Sequence, residues 1–168
     1  MKIAAVASAM PAHYYDQATL TAYLQQMFAG DAAAARRLPQ LHANTQVQGR
    51  HLALPLERYA ELRDFTATNA AWLQCALDLG ESATAAALQR AGLGPQDVDA
   101  IFFSTVTGLA SPSLEARLMN RMHMRPDVRR VPMFGIGCVA GAAAVARAAD
   151  FVRAYPRGVA LVLTVELC

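Results

Sequence analysis

The chain has 168 residues, a formal net charge of +2, 55% hydrophobic residues and 17% charged residues. That length predicts one domain with a sizeable core, and the nearly balanced charge, with no basic arm or Arg/Lys stripe, argues against nucleic-acid binding. Cys75, Cys138 and Cys168 are far apart and lack CxxC spacing, so neither a zinc site nor a disulfide framework is expected and no metal ligands are assigned.

The chain opens on a lysine and a short apolar run over residues 3–9. This reads as a buried strand rather than a signal peptide, broken by Pro11. Asp16 is placed to cap a helix with Leu20, Leu24, Met27 and Phe28 on one face, stopped by Gly30. Residues 31–38 predict a short alanine-rich helix ending before Pro39. Asn44 to Leu54 predicts an irregular strand and loop, and Pro55 a helical turn through Tyr59 and Leu62. A long helical region follows from about Thr68 to Ala91, interrupted at Gly80 and ended by Gly92 and Gly94-Pro95.

Ile101 to Val106 predicts a buried strand. Thr107 to Pro112 is a loop entering a helix, with Ser111 as N-cap, Pro112 at the first helical position, and Leu114, Leu118 and Met122 as its apolar stripe. Arg130 to Phe134 is a further strand, Gly135-Ile136-Gly137 a tight turn, Cys138 to about Ala154 a helix, and residues 158–165 a last apolar strand before Glu166-Leu167-Cys168. The alternation predicts an α/β fold around a largely buried sheet. An ending on a core-type strand is expected of a partial sequence. No apolar run reaches the roughly 18 residues needed to span a membrane, and the cytoplasm is the default location.

The chemistry concentrates at Cys138. A cysteine where a glycine turn feeds a helix meets unpaired backbone N–H groups and the positive end of the helix dipole, and both stabilise a thiolate. Flanking glycines permit a sharp turn and leave room for a carbonyl substrate. These are the needs of covalent acyl transfer. Two other readings stay open on these residues. One is a small buried, inert cysteine in an alanine-rich helix. The other is a dinucleotide-binding module, because Gly135-x-Gly137-x-x-Ala140 follows a strand and opens a helix. That fingerprint expects an acid about 20 positions on, whereas Glu166 lies 31 positions after Gly135.

Three longer blocks resemble the type III polyketide synthases, the chalcone and stilbene synthase-like family. Val131-Pro132-Met133-Phe134-Gly135-Ile136-Gly137-Cys138-Val139-Ala140-Gly141-Ala142-Ala143 is similar to the family's nucleophile motif. Phe103 to Leu118, through Thr107-Gly108-Leu109-Ala110-Ser111-Pro112, resembles its pocket and dimer loop. Leu161 to Cys168 resembles a strand reaching the active site, and Arg50-His51-Leu52 with Pro55-Leu56-Glu57 is a looser match.

The resemblance implies the N-terminal half of a thiolase-like fold over residues 1–168: a mixed sheet with a buried nucleophile helix and covering helices. It implies decarboxylative condensation of a starter acyl-CoA with malonyl-CoA in a homodimer. No separate cofactor is implied, since coenzyme A enters with the substrates. Cys138 would carry the acyl chain. Val106, Thr107, Ser111, Glu166 and Cys168 would border the pocket, with Ser111 reaching across the dimer where plant members carry methionine. Arg50 would face coenzyme A, although Gln48 and Gly49 replace basic residues of the plant enzymes. Small residues over Ala110–Ser113 resemble bacterial alkylpyrone or alkylresorcinol synthases. The family's catalytic histidine and asparagine belong to a second half. His13, His42, His51 and His123 match neither motif, so residues 1–168 alone are expected to be inactive. An initiating ketoacyl synthase and a non-catalytic interaction half are the remaining alternatives.

Overall fold

A computed structural model describes residues 2–167. The chain forms two compact units, one of residues 11–60 and one of residues 61–167 together with 2–10.

In the smaller unit, β1 (His13–Asp16) pairs antiparallel with β2 (Gly49–Leu52), from His13 opposite Leu52 to Asp16 opposite Gly49. Helix α1 (Gln17–Met27) starts as predicted, its Thr19 N–H donating to Asp16 Oδ1 at 2.8 Å. Helix α2 (Ala32–Thr45) departs from expectation by running through Pro39. A proline leaves the carbonyl four residues earlier without its helical donor. Here that carbonyl, Ala35 O, accepts instead from Gln25 Nε2 of α1 at 3.1 Å. The partner that permits the helix to continue lies on a neighbouring element, out of reach of a local reading.

In the larger unit, α3 (Phe65–Ala91) is capped by Asp64, which accepts from the Ala67 N–H, and closed by Gly92 at φ +69°. The predicted interruption at Gly80 is absent. Gly80 is buried inside the continuous helix, and a Cβ there would make an ordinary contact at 3.5 Å with Leu163 Cδ2, so the glycine neither breaks the helix nor is demanded by packing. After it come β3 (Ala100–Thr105), α4 (Leu114–Arg121), β4 (Arg129–Phe134), α5 (Ala140–Ala154) and β5 (Ala160–Thr164). The three strands form a parallel sheet in the order β4-β3-β5.

Strand β3 is buried along its whole length and separates two cores. Ile101 and Phe103 meet Trp72, Ala76 and Leu88 of α3 and Leu114 and Leu118 of α4. Ala100 and Phe102 meet Ala144 and Ala148 of α5. Burying a side chain such as Ile101 or Phe103 contributes about 1.5–3 kcal/mol. The alanine stripe of α5 lets that helix lie close on the sheet. The outcome is three layers, helix–sheet–helix, the arrangement that parallel strands require.

The predicted first strand at residues 3–9 does not form. No strand is assigned there, and Ile3 and Val6 are 77% and 72% exposed. Apolar alternation specifies a strand only when a partner supplies its ladder, and no strand pairs with this segment among the described residues. Within the described residues, no helix is long and apolar enough to cross a membrane.

Candidate active site at the carboxyl end of the sheet

Parallel strands all deliver their carboxyl ends to one edge, the usual place for a site in an α/β sheet. The register sets Thr105 of β3 beside Phe134 of β4, and Ser104 beside Thr164 of β5. The segments just beyond these residues carry Val106 and Thr107, Cys138, and Glu166. Topology therefore brings to one edge residues lying up to 60 positions apart, such as Val106 and Glu166.

Cys138 lies in a 3-10 turn, Gly137–Val139, that leads into α5. The α-helix proper starts at Ala140, two residues later than the sequence predicted. Gly135 and Gly137 have φ of +80° and +64°, and no atom lies within 4 Å of a Cβ built on either. Conformation, not space, demands glycine at both positions. Val139, the residue before α5, offers no side-chain cap, so the helix's first N–H groups receive no side-chain acceptor. The Cys138 thiol is exposed, which removes the reading of a sealed, inert core cysteine. Phe134, Ile136 and Val139 around it are exposed apolar side chains.

Cys75 is different. It is half-buried on α3, and burial, followed by the neighbouring Asp78 carboxylate, pushes its thiol up, so a thiolate is disfavoured there.

Glu166 binds the loop after β3. Its two oxygens each lie 3.1 Å from the Val106 nitrogen, and Oε2 accepts from Thr107 Oγ1 at 2.9 Å and Thr105 Oγ1 at 3.4 Å. Thr107 Oγ1 in turn accepts from Trp72 Nε1 and from the Leu167 N–H, both at 3.1 Å. The Thr107 hydroxyl is thus fully committed within the protein, while the Val106 side chain remains 38% exposed. Asn69 takes Leu109 by both backbone groups: Leu109 N–H donates to Oδ1 and Nδ2 donates to Leu109 O, each at 2.8 Å. Sequence reading missed Asn69 and Trp72 because neither stands in a recognisable motif. The available signal was Gly108, a glycine with no turn to make, whose absent Cβ would fall 1.9 Å from the Trp72 ring.

Ser111 is not the cap of α4. The helix begins at Leu114, and Ser113 O accepts from the Ala116 and Arg117 N–H groups. Two serines flank Pro112, and the first helical hydrogen bonds of α4 run to the carbonyl of the later one. The Ser113 hydroxyl donates to the fully buried Glu115 instead of capping the helix. Ser111 is left exposed on the loop. Arg50 is exposed on β2 of the smaller unit, and Cys168 lies outside the described residues. His51 Nδ1 sits 2.7 Å from Pro11 O and His42 Nδ1 sits 2.6 Å from Thr21 Oγ1. The smaller unit also holds a groove of about 520 Å³ between α1 and α2, lined by Gln17, Thr21, Pro39 and His42 among others, none of them a site candidate from sequence.

Residues 1–168 match the family described as chalcone and stilbene synthases, N-terminal domain. The chain is 47% identical over 166 residues to a 1,3,6,8-tetrahydroxynaphthalene synthase of Streptomyces peucetius, an alignment covering 99% of this chain and 44% of that one. It is 32% identical to a phloroglucinol synthase of Pseudomonas fluorescens, over 93% of this chain and 44% of the relative. Among solved structures, 1,3,6,8-tetrahydroxynaphthalene synthase from Streptomyces coelicolor, a bacterial type III polyketide synthase, superposes with a TM-score of 0.85 at 32% identity. That match covers 96% of this chain and 46% of the other. Germicidin synthase of the same organism, also a type III polyketide synthase, gives 0.83 at 28% identity, over 96% and 50%. The chain thus spans about half the length of its relatives, and its fold is the N-terminal half of their thiolase-like fold. On sequence and on fold together, this chain belongs to the chalcone and stilbene synthases, as their N-terminal domain.

Proposed function

We propose that this chain supplies the nucleophile of a type III polyketide synthase, with Cys138 as the acyl carrier. One observation carries the reading: an exposed thiol at the uncapped start of α5, reached through two glycines at positive φ, at the carboxyl ends of the parallel strands. The Cys138 thiolate would attack the thioester carbonyl of a starter acyl-CoA, forming a new thioester and releasing coenzyme A as its thiolate. Malonyl-CoA would then lose CO2, and the resulting enolate would attack the Cys138 thioester. A carbon–carbon bond forms as the Cys138 thiolate departs. The departing sulfur lies in the turn just before the N-terminal end of α5. Repetition and cyclisation complete the product.

The acid–base and oxyanion groups, a histidine and an asparagine, are assigned by resemblance to the family's second half. Residues 1–168 taken alone are therefore expected to lack turnover. Coenzyme A thioesters are substrates in this reading and no cofactor is required. The whole protein is placed in the cytoplasm as a homodimer. Ser111, exposed on its loop, suits a role reaching into the second copy, and Arg50 suits the coenzyme A side. The glycine turn is read as serving the thiol rather than a dinucleotide, because Glu166, the strand-end acid, is already engaged by Val106 and Thr107.

Two starter classes are separable. Small residues over Ala110–Ser113 favour a fatty acyl starter and a pyrone or resorcinol product. The 47% identity to a tetrahydroxynaphthalene synthase favours a small polyhydroxylated aromatic, and we adopt the latter. The test incubates the whole protein, and its Cys138→Ala variant, with malonyl-CoA alone and with added fatty acyl-CoA. A polyhydroxylated aromatic from malonyl-CoA alone, lost in Cys138→Ala, is the expected result. Product only with fatty acyl-CoA transfers the assignment to the other starter class. An absolute requirement for an acyl-carrier protein favours the ketoacyl synthase alternative. Turnover surviving in Cys138→Ala overturns the proposal.

A further inference from the structure

We propose that Asn69 and Trp72 are positioning residues that set the shape of the acyl pocket by clamping the Val106–Leu109 loop onto α3. The pocket role rests on the condensing-enzyme reading above; the clamp itself rests on geometry alone.

Three positions apart on α3, Asn69 and Trp72 share one helix face. The Asn69 carboxamide meets the Leu109 peptide groups as a neighbouring strand would, giving one acceptor to the N–H and one donor to the carbonyl, both at 2.8 Å. Only a side chain with both functions can satisfy both groups. Trp72 is 5% exposed. Its indole N–H donates to Thr107 Oγ1, and its ring occupies the space where any side chain at residue 108 would stand.

Beyond β5, Glu166 holds Val106 and Thr107. Val106, Thr107 and Leu109 are thus fixed through main-chain or hydroxyl groups, and Gly108 between them is packed on the Trp72 ring, leaving Val106 and Leu109 38% and 48% exposed. Exposed loops ordinarily open locally at little cost. This one is held by α3 at Thr107 and Leu109 and by Glu166 at Val106 and Thr107, so the setting of its two apolar side chains depends on a helix that contributes no pocket candidate of its own. In a condensing enzyme those directions decide which acyl chain fits, and one methylene in such a pocket changes selectivity about 10-fold or more.

The experiment uses the whole protein with Asn69→Ala and the isosteric Asn69→Asp, which keeps the acceptor for Leu109 N–H but replaces the donor with an anionic oxygen facing Leu109 O. Amide hydrogen exchange at Leu109 is read first, because it needs no activity. The expected change is about tenfold faster exchange in Asn69→Ala, and a smaller change in the same direction in Asn69→Asp. The second readout is the ratio of kcat/KM between a short and a long acyl-CoA starter, expected to shift about tenfold. The rate of Cys138 alkylation by iodoacetamide should hold within about twofold, since that thiol lies on a different loop. Unchanged Leu109 exchange in both variants overturns the clamp. Faster exchange with an unchanged starter ratio overturns the pocket role. If the unmodified protein makes no product from malonyl-CoA either alone or with an added acyl-CoA starter, the condensing-enzyme reading and the pocket role fall together, while the exchange data still decide the clamp.

Discussion

The carboxylate of Glu166 straddles the backbone N–H of Val106, with each oxygen 3.1 Å from the nitrogen. A residue beyond β5 thereby fixes the first residue beyond β3, at the edge where the candidate nucleophile stands. Removing the carboxylate leaves the Val106 N–H and the Thr107 hydroxyl without that acceptor. Glu166→Ala is expected to cost about 1–3 kcal/mol, read as a lowered urea midpoint at unchanged m-value. Glu166→Gln retains one oxygen acceptor and should recover part of the loss. A midpoint unmoved in Glu166→Ala would show that the carboxylate does not hold the loop in solution.

Two cysteines test the chemical claim about Cys138 without any substrate. Cys138 is exposed at a helix start, whereas Cys75 is half-buried, with burial and Asp78 both disfavouring its thiolate. Alkylation proceeds through the thiolate. Limited iodoacetamide treatment at neutral pH, mapped by peptide mass spectrometry, is expected to label Cys138 at least about tenfold faster than Cys75. Equal rates, or Cys75 labelled first, would contradict the assignment of the nucleophile.

The turn that carries Cys138 was legible in the sequence because its signal is local. Gly135 and Gly137 announce positive φ, Phe134 ends an apolar strand, and the alanines after Cys138 announce a helix that packs closely. What escaped was long-range. Pro39 predicts a helix end by every local rule, yet the donor that offsets its missing N–H comes from Gln25 on another helix. Ser111 reads as the cap because Pro112 follows it, yet the helical hydrogen bonds begin at the Ser113 carbonyl and the apolar stripe is the same for either start. Residues 3–9 have the composition of a strand, but composition does not supply a partner. Asn69 and Trp72 gain their role from a loop about 40 residues further along the chain.

That account of Pro39 makes a prediction of its own. Gln25→Ala removes the donor to Ala35 O and leaves that carbonyl to solvent or unpaired. The expected cost is about 1 kcal/mol. It should be accompanied by faster amide exchange on the C-terminal side of Pro39 in α2 than in α1. Pro39→Ala restores the helical N–H and should rescue the Gln25→Ala variant. Failure of the rescue would mean that the Gln25 contact is incidental to the helix.

Asp99, just before β3 at the sheet's amino end, should contribute to acid sensitivity. Its Oδ1 accepts from Arg125 Nη2 at 2.7 Å and its Oδ2 from the Val159 N–H at 2.8 Å. The Arg125 hydrogen bond, followed by that backbone N–H, holds its carboxyl below the usual carboxylate range. A lowered folded-state value means the stabilisation is complete above the unfolded-state pKa of about 3.9 and is lost as pH falls through the folded value. Asp99→Asn should therefore be less stable than the parent at pH 7, with the difference shrinking as pH drops below about 4. Equilibrium denaturation across that range reads the sign directly, and a difference that grows with acid would refute it.

Two glycines of the larger unit should respond to alanine in opposite directions. Gly80 is in regular helix, and its new Cβ would meet Leu163 Cδ2 at 3.5 Å, an ordinary contact. Alanine there removes the entropic handicap of a helical glycine, so Gly80→Ala is expected to stabilise by about 0.5–1 kcal/mol. Gly137 has nothing within 4 Å of its Cβ position but sits at φ +64°, where an L side chain costs about 1–2 kcal/mol. Gly137→Ala should lower stability by about that amount or distort the turn that carries Cys138, in which case the thiol's alkylation rate changes as well. Thermal unfolding of the two variants side by side separates conformation from space. If the two shift the melting temperature in the same direction, the left-handed turn is not what demands glycine beside Cys138.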